Sequence, residues 1–298
     1  MLRGTTIVIT GATGQVAEPI ARALAADNEV WGAARFKDGA ARERLEKAGV
    51  RCAEVDLVAG TLDALPEHAD YVLHFAVVKT DNWDKALAGN GEATGLLMAR
   101  YADARAFLHC STTGVYQPDD HRHFAETDPL GDNHRPLMQT YSIAKIAGEV
   151  VARFGARQFG VPTTIARLNV PYGDGRGWPA FHLELLLADH PITVHPDGPS
   201  LYNPIHIDDL VEQVPRLLEI AAVPAVIVNW AGPDTVSIEE WCAHLGELVG
   251  KQPRFEHSDQ ALQSVATDTT RMHELIGPAR VRWRDGMRRL VDSRMGRP

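Results

Sequence analysis

Short apolar runs rich in β-branched residues alternate with longer amphipathic stretches as far as Leu168. Thr5–Thr10, Glu29–Ala34, Val50–Val55, Tyr71–Phe75, Ala106–Ser111 and Pro162–Leu168 have the length and composition of buried strands. Between them, Gln15–Ala26, Ala40–Ala48, Trp83–Ala102 and Tyr141–Phe159 read as helices. Strands alternating with helices predict a parallel sheet covered on both faces, a doubly wound α/β fold. After Arg167 the pattern changes. Residues 171–204 are rich in Pro, Gly and His, with one helical patch at Phe181–Leu187. A helix over Ile207–Ile220 and a strand over Ala225–Val228 restore the earlier rhythm. Ser237–Val249 reads as a helix opened by a capping box of Ser237 and Glu240. Arg284–Met295 reads as a basic terminal helix. The expected division is a larger domain, 1–170 with 205–229 returning to it, and a smaller lobe, 171–204 with 230–298. The lobe is expected over the carboxyl ends of the strands, where open α/β sheets bind ligands.

Composition narrows the function. A chain of 298 residues with 45% hydrophobic content can bury a sizeable core. The net charge is −9 and no basic stripe occurs, so nucleic acid is not expected as a partner. Cys52, Cys110 and Cys242 are odd in number and widely spaced. They fit neither a disulfide framework nor a metal clip, and point to a reducing, cytoplasmic setting. No run approaches the ~18 apolar residues of a membrane span. A polar loop carries His121, His123 and His134 among Asp119, Asp120 and Asp132. It reads as solvated or substrate-facing, and no metal is expected.

Two features carry chemistry. The first strand runs into Gly11-Ala12-Thr13-Gly14-Gln15-Val16-Ala17, a G-x-x-G-x-x-A loop opening a helix. Such glycines let the backbone turn sharply and approach a pyrophosphate at the helix N-terminus. A dinucleotide and a Rossmann-type sheet are therefore expected. The second strand ends at Ala34-Arg35, where NAD enzymes usually place an acid for the ribose 2′-hydroxyl. Arg35 suits a 2′-phosphate, so NADP(H) is preferred over NAD(H). Tyr141 and Lys145 form the second feature. Four residues apart on a helix, a phenol and an amine share one face. A neighbouring ammonium is expected to lower the phenol's pKa and let it move protons.

Taken in order, these motifs resemble the extended short-chain dehydrogenase/reductase superfamily, in particular its NAD-dependent epimerase/dehydratase branch. Further segments extend the resemblance over most of the chain. Asp56-Leu57 is similar to the pair beside the adenine ring. Tyr71-Val72-Leu73-His74-Phe75-Ala76 is similar to the segment lining the cofactor, and Val77 continues it. Asn90-Gly91-Glu92-Ala93-Thr94 resembles a structural N-x-x-G/A-T, and Ser111-Thr112-Thr113-Gly114-Val115-Tyr116 the strand end that supplies a hydroxyl. Arg167 to Gly173 and Ile205 to Leu210 complete the series. The resemblance implies that Thr112 hydrogen-bonds the reacting oxygen and that Tyr141 passes the proton. It implies that Lys145 bonds the nicotinamide ribose and that Pro171 lies beside the nicotinamide. Lys79, Thr113, Asn169, Trp178 and Tyr202 are expected at the substrate. In similar proteins the helices at Trp83–Ala102 and Tyr141–Phe159 pair in a homodimer, although core packing explains their apolar faces equally well.

Departures from the family refine the expectation. Members acting on UDP-sugars commonly carry Asn just before the residue matched by Pro171. This chain has Val170 there and Asn169 one place earlier. They also tend to carry an Arg where Tyr202 stands. Both absences favour a substrate without a nucleotide. Thr113 and Gly114 replace the acidic residues that dehydratases use, which disfavours dehydration. The leading expectation is an NAD(P)-dependent oxidoreductase that transfers hydride between the nicotinamide and a small-molecule carbonyl or alcohol. A nucleotide-sugar 4-epimerase that retains NAD stands beside it, as does a non-catalytic NADP-sensing protein.

Overall fold

The computed structural model describes residues 2–297. Its centre is a seven-stranded sheet. The strands are β1 (Thr6–Thr10), β2 (Glu29–Ala34), β3 (Arg51–Glu54), β4 (Tyr71–His74), β5 (Ala106–Thr112), β6 (Thr163–Leu168) and a last strand at Val226–Trp230. Their spatial order is last strand, β6, β5, β4, β1, β2, β3. β1 runs parallel to both neighbours, with Ile7 opposite Val30 on one side and Tyr71 on the other. The winding therefore reverses between β1 and β4, and the crevice at that reversal is where such sheets take ligands. β5 is buried at every position, as expected of a central strand with helices on both faces.

The helices near the sheet are α1 (Ala17–Leu24), α2 (Gly39–Lys47), α3 (Trp83–Leu87), α4 (Ala93–Arg100) and α5 (Tyr141–Phe159). The single helix expected over Trp83–Ala102 is instead α3 and α4 joined by a π turn at Ala88–Glu92. A side chain explains the break. Asn90 turns inward, accepts from Val78 N at 3.0 Å and donates to the carbonyls of Val78 and Ala86 at 3.0 and 2.8 Å. The extra residue in that turn lets an amide clamp the loop after β4. On α5, Gly148 allows close packing. A Cβ there would lie 2.8 Å from Asn90 O and 3.1 Å from the His109 ring.

By its own contacts the chain forms two compact units. The first runs to Thr112 and includes Thr140–Arg167 and Val211–Val228. The second holds Thr113–Gln139, Leu168–Leu210 and the chain from Asn229 onward. Residues 113–139, expected in the larger domain, thus cluster with the smaller one. Their anchors explain why: Tyr116 stacks on Phe124 with ring centroids 5.2 Å apart, and its hydroxyl donates to Asn229 Oδ1 at 2.6 Å. The second unit is built on α6 (Trp178–Leu187), α7 (Ile238–Val249) and α8 (Trp283–Met295) around buried Trp241. Ser237 and Glu240 form the expected capping box at α7. The short helix Thr270–Ile276 carried no periodic signal long enough to anticipate it. Among the described residues, no helix is long and apolar enough to cross a membrane.

Candidate active site

Tyr141 is the first residue of α5, and its phenol is hydrogen-bonded to the Thr112 hydroxyl at the end of β5. Thr140, one residue earlier, donates from Oγ1 to the Thr80 carbonyl at 2.6 Å. This ties the start of α5 to the loop after β4. Lys79 in that loop is exposed, with its ammonium 5.7 Å from the centre of the Tyr141 ring. Lys145, one helical turn on, is buried and donates to the Cys110 carbonyl at 2.6 Å.

The neighbouring ammonium was expected to lower the Tyr141 phenol, whereas burial pushes it up to about 12, opposed by the Thr112 hydrogen bond and reinforced by Cys110. Removing a phenolate from water costs more than one hydroxyl returns, and the Lys145 ammonium is turned to a carbonyl instead. Lys145 itself is lowered, first by burial, with Cys110 and Glu149 acting against the shift and Lys79 adding to it.

A cleft opens at the β1–β4 reversal. Gly11, Thr13 and Gly14 line it from the turn after β1, Arg35 from just past β2, and Asp56 and Leu57 from the segment after β3. Phe75, Ala76, Val77 and Val78 form its other wall. Gly11 has φ +70°, and a Cβ there would stand 2.8 Å from Ala76 Cα, so both walls depend on its bare backbone. No side chain caps the first turn of α1, whose N-terminus has the polarity that favours an anion, although Glu18 N already donates to Gly14 O at 2.9 Å. Gln15 and Val16 sit in the bend just before α1 rather than along the cleft wall. Asp56 accepts from Val58 N at 3.0 Å and so shapes its own turn. A cleft lined by a glycine-rich turn on one side and by Phe75, Ala76 and Val77 on the other suits a dinucleotide.

The remaining expected residues lie in the second unit. Thr113 is buried in the 3-10 turn Thr113–Val115, and Pro171 pairs with Ile205. Asn169 is 2% exposed; its Oδ1 accepts from Val170 N and Asn203 N while its Nδ2 donates to Val265 O. Tyr202 is 4% exposed and donates to the Gln263 carbonyl at 2.7 Å. Trp178 packs edge-on against Tyr202 and Trp241. Within this unit, then, the polar groups of Asn169 and Tyr202 are taken up by their own backbone surroundings. On the surface, Asp120, His121 and Asp197 bring ligand-type atoms within 4.8 Å of one another.

The sequence reading missed a buried cluster behind the tyrosine. Glu149 accepts from Ser111 Oγ at 2.5 Å and from Arg167 Nε and Nη2 at 2.9 and 2.8 Å. The available signal was the spacing Tyr141, Lys145, Glu149, which continues one helix face for a second turn.

A model of the NAD dependent epimerase/dehydratase family matches residues 7–229. A dTDP-4-dehydro-6-deoxy-D-allose reductase of Streptomyces bikiniensis is 26% identical over 92% of this chain and 91% of its own length. A dTDP-glucose 4,6-dehydratase of Streptomyces griseus is 24% identical over 63% of this chain and 58% of its own. Among solved structures, a UDP-glucuronic acid 4-epimerase from Bacillus cereus, in complex with UDP-glucuronic acid and NAD, superposes with a TM-score of 0.84. It shares 19% identity, covering 98% of this chain and 99% of that one.

Proposed function

The chain belongs to the NAD-dependent epimerase/dehydratase family of enzymes, and from that premise we propose that it reduces a ketone on a nucleotide-linked sugar, using NADPH. The state of Tyr141 carries the reading. A phenol pushed up to about 12 keeps its proton at neutral pH and is ready to donate it. Tyr141 gives that proton to the carbonyl oxygen, which becomes an alcohol. The Thr112 hydroxyl hydrogen-bonds the same oxygen and holds it in line. Lys145 binds the nicotinamide ribose, and Gly11, Thr13, Gly14, Asp56 and Phe75 to Val77 hold the dinucleotide. Bound there, the reduced nicotinamide supplies the hydride. Lys79, Thr113 and Trp178 are assigned to the substrate and Pro171 to the nicotinamide, whereas Asn169 and Tyr202, whose polar groups bond their own backbone surroundings, support neighbouring segments instead of binding.

Val170 and Tyr202 argued for a substrate without a nucleotide. Against them stands a reductase matched along nine-tenths of the chain whose substrate is dTDP-linked, and it weighs more. Arg35 is exposed at the cleft with Ala34 in place of an acid, which supports NADPH over NADH. The apolar residues Leu96 on α4 and Val150 and Phe154 on α5 are 46%, 56% and 59% exposed, which supports a homodimer through these helices. Three free cysteines support a cytoplasmic enzyme.

Replacement of Tyr141 by Phe tests the mechanism. NADPH binding, followed by fluorescence, is expected to stay within about twofold, while turnover of a dTDP-4-keto-6-deoxy sugar falls roughly 100-fold or more. A Tyr141→Phe enzyme with full turnover refutes the assignment. The second reading, an epimerase, is favoured by the B. cereus neighbour. It requires oxidised cofactor retained through purification, which release by heat and absorbance would reveal.

A further inference from the structure

Three consecutive residues of β5 hold three consecutive turns of one α5 face. Thr112 bonds the Tyr141 phenol, the Cys110 carbonyl accepts from Lys145, and Ser111 donates to Glu149. Glu149 is further held from β6 by both nitrogens of an Arg167 fork. Glu149, Arg167 and Ser111 are 2%, 2% and 3% exposed. A buried ion pair of this kind is poor evidence for stability, because well-packed apolar residues often replace one at no cost. Its location beneath Lys145 is the informative part. Lys145 lies at 4% exposure, away from the water that would ordinarily keep an amine charged.

The groups facing Lys145 come from four elements. β5 contributes Cys110 and His109, β4 contributes His74, the loop after β4 contributes Lys79, and α5 contributes Tyr141 and Glu149. Arg167 of β6 acts through its pairing with Glu149. Lys79 repels the ammonium, and the two histidines are neutral at ordinary pH. Glu149 is the carboxylate in this set.

We propose that Glu149 is a positioning residue for the reaction: fixed by Ser111 and Arg167, it sets the rotation of α5 and keeps Lys145 charged and directed beneath Tyr141. This rests on the reading of Tyr141 and Lys145 as the proton-handling pair. Glu149 touches neither substrate nor cofactor in this role.

The test uses the full-length protein and NADPH itself as probe. NADPH affinity is measured by fluorescence quenching from about pH 6 to pH 10, together with kcat and KM for ketone reduction. In the wild type, loss of the Lys145 proton should weaken binding on the alkaline side, and Lys145→Met should abolish that limb. In the double variant Glu149→Met with Arg167→Met, and separately in Glu149→Gln, the limb should move down by about one pH unit, roughly tenfold in affinity at fixed alkaline pH. kcat should fall more than KM rises. A purely structural ion pair would lower the melting temperature and leave the limb in place. An unmoved limb and full kcat in either variant that folds overturns the proposal, as does a limb that survives in Lys145→Met. If Tyr141→Phe is inactive while the Glu149 variants behave as wild type, only the positioning role falls. An active Tyr141→Phe instead removes the reading beneath it.

Discussion

Loss of a buried histidine should make this protein more resistant to acid. His74 and His109 face each other on β4 and β5, with ring centroids 5.4 Å apart and 1% exposure each. Thr10 Oγ1 accepts from Ala76 N and lies 2.7 Å from His74 Nδ1, so its hydroxyl is left to donate to the ring. Both nitrogens of His109 are buried with no hydrogen-bond partner. Burial, then the Lys145 ammonium, push His74 down to about 3 and His109 well below the usual range, His74 adding to the shift on His109. An unfolded histidine titrates near ~6.5. Below that value the unfolded chain takes up protons that the native state refuses, so stability falls as pH falls from ~6.5 toward the native values. At about pH 5.5 each histidine costs roughly 1.4 kcal/mol, and the pair about 3 kcal/mol, out of a typical 5–15 kcal/mol. Carboxylates such as Asp128, held low chiefly by Arg122, titrate further down and leave this window to the histidines. His182 in the second unit, pushed by burial to about 4, acts in the same direction there. The assay is urea unfolding at about pH 7.5 and pH 5.5, in wild type and His109→Met. Met keeps the volume and removes the titration, so the variant should lose about half as much stability in the first unit. Equal pH dependence in the two proteins would refute the burial argument.

Two other outcomes are expected. Replacing Arg35 by Ser should lower the preference for NADPH over NADH about tenfold or more in binding titrations, since a 2′-phosphate loses its charge partner; an unchanged ratio would remove Arg35 from the cofactor site. Phe154→Glu, placed on the exposed stripe of α5, should shift the species seen in sedimentation from dimer to monomer while leaving the fold intact, and an unaltered dimer would assign that stripe no part in assembly.

Much of the sheet was readable because burial on both faces demands apolar strands. β2 was expected and found at Glu29–Ala34, and α5 at Tyr141–Phe159. The glycine-rich turn that lines the cleft was also readable, since Gly11, at φ +70°, packs its bare backbone against Ala76. Asn90 shows where local pattern fails. Apolar spacing predicts one helix through it, but its amide finds better partners in the loop at Val78 and the helix widens into a π turn.

By itself the sequence determined the doubly wound order of elements, the glycine-rich loop after β1 and the pairing of Tyr141 with Lys145 on one helix face. Each depends on spacing along the chain, which periodicity and a few residue types express directly. Only the tertiary structure decided how those groups are charged and held. Burial outweighs the Thr112 hydrogen bond in setting the Tyr141 phenol, the Cys110 carbonyl captures the Lys145 amine, and Glu149 meets Arg167 from a strand 18 residues away. These outcomes depend on how much water the fold excludes and which distant groups it brings within hydrogen-bond reach.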